Sequence, residues 1–211
     1  PAEIHRSLML DTPPVAMTAS TKPPLAVDLD GTLVHCDTFI EGMVRLGFEK
    51  PRLLPALAGW LMQGRAHAKA EVAKRFPTDA ASLPYDERVV AWLREERAAG
   101  RTVALATATD RRTADAIAAH LGIFDHVFAS DGRTNLKSSR KAEALAAAFP
   151  RGFVYAGNES ADIKVWRSAT AAVVANASPS LAARAGAVLE RAFPPAHDAL
   201  RGLIKAMRPH Q

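Results

Sequence analysis

The chain alternates between short apolar runs and longer stretches in which apolar residues return every three or four positions. Leu25 to Val27, Thr102 to Ala106, His126 to Ala129, Phe153 to Ala156 and Ala172 to Ala175 are runs of the first kind. Each is bounded by polar or turn residues, which predicts a buried strand. Between them, Glu87 to Ala99 carries Val89, Val90 and Leu93 on one face, introduced by Pro84 and Asp86 and stopped by Gly100. Arg111 to Leu121 does the same with Ala114, Ile117, Ala118 and Leu121 before Gly122. A helix capped by Ser138 or Ser139 carries Lys141 in its first turn and runs to Phe149. Another follows Gly157 to Asp162 and ends at Trp166, and Ser178-Pro179 opens one more with serine as cap. Strand and helix in regular alternation predict an α/β fold, a doubly wound parallel sheet with helices on both faces.

One stretch breaks the alternation. From Val34 to about Leu83 there is no strand signal. Thr38 to Leu46 predicts a short helix ending near Gly47, Leu53, Leu57, Trp60 and Leu61 recur at helical spacing, and Lys69 to Phe76 continues as a third helical piece. These predict a helical insertion over 37–83 within a core made of 23–36 and 84–195, with the Leu/Trp stripe packed against that core. Residues 1–22 lack any sustained period and contain Pro13-Pro14, the composition of a flexible lead-in. They also lack the parts of a secretory signal. In 196–211, Leu200, Leu203, Ile204 and Met207 share a face, as in an amphipathic helix that packs on the domain or lies on a membrane.

Composition narrows the class. A length of 211 residues suits one good-sized domain with an appendage. No run approaches the roughly 18 apolar residues that cross a bilayer, and the single cysteine, Cys36, fits a reducing compartment, so a cytoplasmic location is expected. A net charge of +5 is scattered among acids, and aromatics make up only 6%. The basic clusters interleaved with aromatics that nucleic acid requires are missing, so no nucleic-acid partner is expected. A mild basic excess suits anionic, phosphorylated substrates.

The chemistry gathers where the first strand ends, in Val27-Asp28-Leu29-Asp30-Gly31-Thr32-Leu33-Val34. Ligands of open parallel sheets bind at the carboxyl ends of strands. Alternate residues share a side, so Asp28 and Asp30 would leave the strand together while Gly31 turns the chain. Two acids held so close need a cation or a shared proton. One can attack and hold a metal, and the other can move protons.

This stretch resembles the first motif, Asp-x-Asp-Gly-Thr-Leu, of the haloacid dehalogenase (HAD) superfamily, and the resemblance covers roughly residues 23–177. It implies a HAD-like Rossmannoid three-layer sandwich with a small helical cap of the first type at 37–83. It further implies an aspartyl-phosphate mechanism with Asp28 as nucleophile and Asp30 as acid/base. An acid at position 30 is what separates the phosphatases of the superfamily from the dehalogenases and the transport ATPases. Thr107, closing the second strand, resembles the second motif, whose hydroxyl holds a phosphoryl oxygen. Leu136 to Leu145 resembles the phosphoserine-phosphatase branch and places the catalytic cation on Lys141, with Lys137 as runner-up. Gly31, Thr32, Ala108 and Lys137 are the further substrate contacts expected. The fourth motif, Val154 to Ile163, departs from the Gly-Asp-x-x-x-Asp pattern because Asn158 stands where an acid is expected. The implied cofactor is Mg²⁺, held by Asp28, Asp30 through its carbonyl, Asn158 and Asp162, the last binding directly or through water or else orienting Lys141, with Glu159 adjacent to compensate. An amide oxygen still suits a hard ion but adds no charge. The expected function is therefore magnesium-dependent hydrolysis of a small phosphomonoester, with a weakened or ligand-sensing domain as the alternative.

A second resemblance lies at the end of the chain. Leu203 to Gln211 is similar to the segment leading into the first membrane helix of UbiA-type prenyltransferases, some of which carry an N-terminal HAD domain. It implies a membrane prenyltransferase domain as partner in a longer chain, tethering at the cytoplasmic face, and a polyprenyl-phospho-sugar phosphate as substrate.

Overall fold

A computed structural model describes residues 21–195 of the chain. The strands are β1 (Leu25–Val27), β2 (Val103–Asp110), β3 (His126–Ser130), β4 (Val154–Gly157), β5 (Ala171–Ala175) and β6 (Leu189–Phe193). They form one sheet in the order β3-β2-β1-β4-β5-β6, and every pairing is parallel. The helices are α1 (Thr38–Glu49), α2 (Leu54–Met62), α3 (Arg65–Arg75), α4 (Glu87–Ala98), α5 (Arg111–Leu121), α6 (Ser139–Ala148), α7 (Ile163–Trp166) and α8 (Ser180–Ala185).

The period-2 alternation of strand side chains divides the core in two. Leu25, Val27, Val103, Leu105, Val154 and Val173 face α4 and α5, where Val89, Leu93, Ala114 and Ile117 meet them. Ala26, Ala104, Tyr155, Ala172 and Val174 face the other way, onto Leu145, Val165, Trp166 and Ala182 of α6, α7 and α8. Central strands buried on both faces explain why the sequence shows continuous apolar runs there. The strand order reverses beside β1, which puts the β1, β2 and β4 tips around one crevice.

Several expectations change in the details. The sheet has a sixth strand, β6, whose first three residues are exposed and which, among the described residues, pairs with β5 alone, so no apolar run announces it. Strand β2 runs on to Asp110 rather than stopping at Ala106. Ser138 is the cap residue of α6, at φ 56°, but it makes no side-chain bond to the helix: its hydroxyl donates to the Ala161 carbonyl at 3.2 Å. The cap of α8 falls on Pro179, one residue after Ser178.

The insertion contains α1, α2 and α3, with a cluster of its own made by Phe39, Leu46, Trp60, Val72 and Phe76. The Leu/Trp stripe thus packs inside the insertion and not against the sheet: Leu53 and Leu57 join this cluster around Trp60. Asp37 caps α1 by accepting from the Phe39 and Ile40 amides. The lead-in expected at the N-terminus, up to residue 20, and the amphipathic helix expected over 196–211 lie outside the described residues. Among the described residues no helix is long and apolar enough to cross a membrane.

Candidate active site

The tips of β1, β2 and β4 and the start of α6 enclose a cavity of about 340 Å³, closed on one side by Phe39, Arg65 and Lys69 of the insertion. Asp28 follows β1 directly, and its amide donates to the Ala156 carbonyl at 2.9 Å, which continues the ladder to β4. The chain then turns back tightly, with the amides of Thr32, Leu33 and Val34 all donating to the Leu29 carbonyl. Gly31 sits in the turn at φ +75°, where a Cβ would lie 2.1 Å from Asn158 Nδ2. Both reasons demand glycine.

Asp28 lines the cavity and is buried. Its Oδ1 accepts from the Leu29 amide at 2.9 Å and from Lys141 Nζ at 2.9 Å. Its Oδ2 accepts from none of the described residues and is the oxygen left for chemistry. Burial pushes the Asp28 carboxyl up to about 7, against the opposing pull of the Lys141 ammonium. Lys141 is itself buried on the first turn of α6 and bonds Tyr155 Oη at 2.7 Å. Tyr155 Oη in turn donates to Asp162 Oδ1 at 2.9 Å.

Asp30 occupies a different setting. Its Oδ1 accepts from the Thr38 amide at 2.9 Å and contacts Thr38 Oγ1 at 3.0 Å, and its Oδ2 contacts Thr109 Oγ1 at 2.8 Å. The two hydroxyls also touch each other at 3.1 Å. Both hydroxyls donate to Asp30, so the carboxyl is held from two sides and oriented by its partners. Burial raises its pKa, while the Thr38 and Thr109 bonds pull the other way. Adjacent acids thus stand in opposed environments, Asp28 against a cation and Asp30 among hydroxyls, which is the arrangement that divides acid and base roles.

The other expected residues fall as follows. Thr107 is fully buried and its hydroxyl accepts from the Thr109 amide at 3.0 Å. Ala108 lines the cavity, and its carbonyl accepts from Lys69 Nζ at 2.7 Å and from Ser130 Oγ at 2.9 Å. Thr32 is turned to Asn158, donating to its Oδ1 at 3.2 Å. Lys137 lines the cavity but pairs with Glu159 at 2.9 Å, whereas Lys141 reaches Asp28. Asp162 Oδ1 serves Tyr155, and its Oδ2 accepts from the Asn158 and Glu159 amides at 2.9 and 3.0 Å. It orients the loop that carries Asn158.

Among the described residues no group of three or more His, Cys, Asp or Glu side chains is placed to hold a metal ion. Asp28, Asp30 and Asn158 line one cavity and offer a carboxylate oxygen, a backbone carbonyl and an amide oxygen, the last already accepting from Thr32. That chemistry fits a hard divalent ion that keeps most of its water, with one formal charge fewer than a pair of acids would give.

Four residues of the site carry no catalytic assignment from sequence. Thr38 and Thr109 hold Asp30, Tyr155 bridges Lys141 and Asp162, and Lys69 reaches over from α3. Burial lowers the Lys69 ammonium from its ordinary value. Tyr155, a polar-tipped residue at the centre of an apolar run, was the one with a legible signal, because a buried phenol needs a partner.

The model of the haloacid dehalogenase-like hydrolase family matches residues 25–167, and the chain belongs to that family. An uncharacterized protein of Sinorhizobium fredii (strain NBRC 101917 / NGR234), y4nM, is 42% identical over 154 residues, covering 72% of this chain and 30% of that protein. The chain therefore spans less than a third of that relative's length. Among solved structures, a substrate-bound phosphoserine phosphatase superposes with a TM-score of 0.59 at 18% identity, covering 90% of this chain and all of that one. A predicted phosphoglycolate phosphatase from Haemophilus somnus 129PT gives 0.55 at 15% identity over 86% of this chain and 97% of that one. At such identities the structural likeness speaks for the fold, a HAD-like hydrolase whose neighbours include phosphatases.

Proposed function

We propose that this domain is a magnesium-dependent phosphomonoesterase that works through an aspartyl-phosphate on Asp28. The observation that carries the proposal is the pairing of unlike carboxyls: Asp28 has one oxygen on Lys141 and one open, and Asp30 sits two residues on, buried between the Thr38 and Thr109 hydroxyls, where burial raises its pKa.

Asp28 Oδ2 attacks phosphorus and the bond to the ester oxygen breaks. Asp30 gives its proton to that oxygen, then takes one from the water that hydrolyses the acyl phosphate. Lys141 balances the charge on Asp28 and on the phosphoryl oxygens, and buried positive charge so aimed is worth more than in water. Thr107 and the backbone beside Ala108, with Gly31 and Thr32, are the proposed phosphoryl surround. A bound Mg²⁺, held by Asp28, Asn158 and the Asp30 carbonyl, would neutralise phosphate charge. The α1–α3 insertion is the proposed cap, since Phe39, Arg65 and Lys69 reach the cavity from it. A cavity of about 340 Å³ suits a small phosphorylated metabolite.

Asn158 favours a second reading, a domain that binds a phosphorylated ligand with little turnover, because it leaves the metal short of charge. One assay separates the two. Hydrolysis of para-nitrophenyl phosphate and of a phosphosugar panel should require magnesium and vanish in Asp28→Asn. Absence of turnover in the parent together with measurable phosphate-ester binding would favour the second.

A further inference from the structure

Behind the cation of the site lies a buried string of side chains that runs from the nucleophile to the opposite loop. Tyr155 is its middle member. Its place in β4 is fixed without its hydroxyl, because its carbonyl accepts from Trp166 Nε1 at 2.9 Å and its ring meets the Trp166 ring edge-on, 6.4 Å between centroids. The hydroxyl then has two neighbours. It accepts from Lys141 Nζ at 2.7 Å and donates to Asp162 Oδ1 at 2.9 Å. Asp162 Oδ2 holds the Asn158 and Glu159 amides. Burial holds the phenol well above its ordinary pKa, so it keeps its proton and always has one to donate.

We infer that Tyr155 is a positioning residue for phosphoryl transfer, tethering the Lys141 ammonium to the Asn158–Asp162 loop and fixing it against Asp28. The inference rests on the phosphatase reading for its catalytic consequence. A lysine side chain has four rotatable bonds, and a single partner leaves its charge free to swing. Two anchors, Asp28 and Tyr155, define the position of Nζ and leave a third N–H without an acceptor among the described residues. That N–H, in a residue that lines the cavity, is the one available to a phosphoryl oxygen. No strand-and-motif reading requires a tyrosine there, since an apolar residue would fill the same place in the sheet. What the hydroxyl adds is a rigid link between the cation and the loop that bears Asn158.

The test is Tyr155→Phe, which keeps the ring and its Trp166 contact. On para-nitrophenyl phosphate kcat should fall about 10- to 100-fold, the effect of losing one charge-assisted hydrogen bond, with KM held within about threefold. In a Lys141→Ala background the same change should cost nothing further, because the tyrosine acts through the lysine. Reductive methylation read by peptide mass spectrometry gives an answer that needs no turnover: Lys141 should label about tenfold faster in Tyr155→Phe, with Lys69 unchanged as the internal control. Should circular dichroism show Tyr155→Phe unfolded, 4-amino-phenylalanine at 155 takes its place with the same losses expected, since it keeps a donor for Asp162 and offers the ammonium only a feeble acceptor. Unchanged kcat, an equal loss without Lys141, or an unmoved Lys141 labelling rate would each overturn the assignment. Failure of the phosphatase reading would appear instead as inactivity of the parent protein, with the labelling difference intact.

Discussion

Removing Lys141 tests the electrostatics of the site without any substrate. An ordinary aspartate ionises at 3.8, and Asp28 does so at about 7 in the presence of the lysine. At about 1.4 kcal/mol per unit, ionising Asp28 in the fold costs about 4 kcal/mol more than ionising it in the unfolded chain. The sign follows from proton counting. Between those two values the folded state holds the proton and the unfolded state does not, so stability falls as pH rises through the window and levels off above about 7. In Lys141→Met the opposing pull is gone and the carboxyl titrates higher still. Stability should therefore keep falling above pH 7, by about 1.4 kcal/mol per pH unit, where the parent curve is flat in this contribution. The assay is urea unfolding from about pH 6 to about pH 9 with a chelator present. Near pH 6 the two proteins should differ by about 1 kcal/mol or less, since a protonated Asp28 leaves no uncompensated charge. The gap should open with pH and close again in Lys141→Met/Asp28→Asn. Parallel curves for parent and Lys141→Met, or a slope that survives the second substitution, would refute the reasoning.

Three further outcomes follow from the same geometry. Gly31→Ala places a Cβ 2.1 Å from Asn158 Nδ2 at φ +75°, so the amide must swing off its Thr32 bond; we expect about 1–2 kcal/mol of backbone strain by thermal melting and a disproportionate fall in kcat, and an active variant would contradict it. Asn158→Asp restores the missing charge and should tighten magnesium by about an order of magnitude in titration calorimetry; unchanged affinity would remove Asn158 from the metal. On the proposed function protons would compete with magnesium for Asp28, whose carboxyl is pushed up, so activity should be lost as pH falls through its pKa and the acid limb of kcat/KM should move to lower pH as magnesium is raised; a limb indifferent to magnesium would place the ion elsewhere.

The central sheet was legible because strands buried on both faces must be written as apolar runs, and their tips as turn chemistry. The edge strand β6 was not, since Leu189, Glu190 and Arg191 are exposed and pairing on one side alone leaves no hydrophobic signature. At the site, Asp28, Asp30 and Lys141 could be read from strand-end position and motif order, and the fold brings Lys141 onto Asp28. The partners that tune them could not. Thr38 and Thr109 come from the insertion and from the far end of β2, and only the closed fold makes them neighbours of Asp30. Thr109 lies beyond the apolar run because β2 continues four residues past Ala106. The resemblance offered Asp162 as a metal ligand or as an orienter of Lys141, and the link to Lys141 runs through Tyr155, a hydrogen-bond route that order along the chain does not show.

The claim on which all of this turns is that Asp28 takes the phosphoryl group. Quenching the enzyme during turnover of a phosphomonoester and reducing it with borohydride converts an aspartyl-phosphate to homoserine, which peptide mass spectrometry locates. The account predicts homoserine at position 28, dependent on substrate and absent without it; turnover that leaves Asp28 unreduced, or marks another carboxyl, would contradict it.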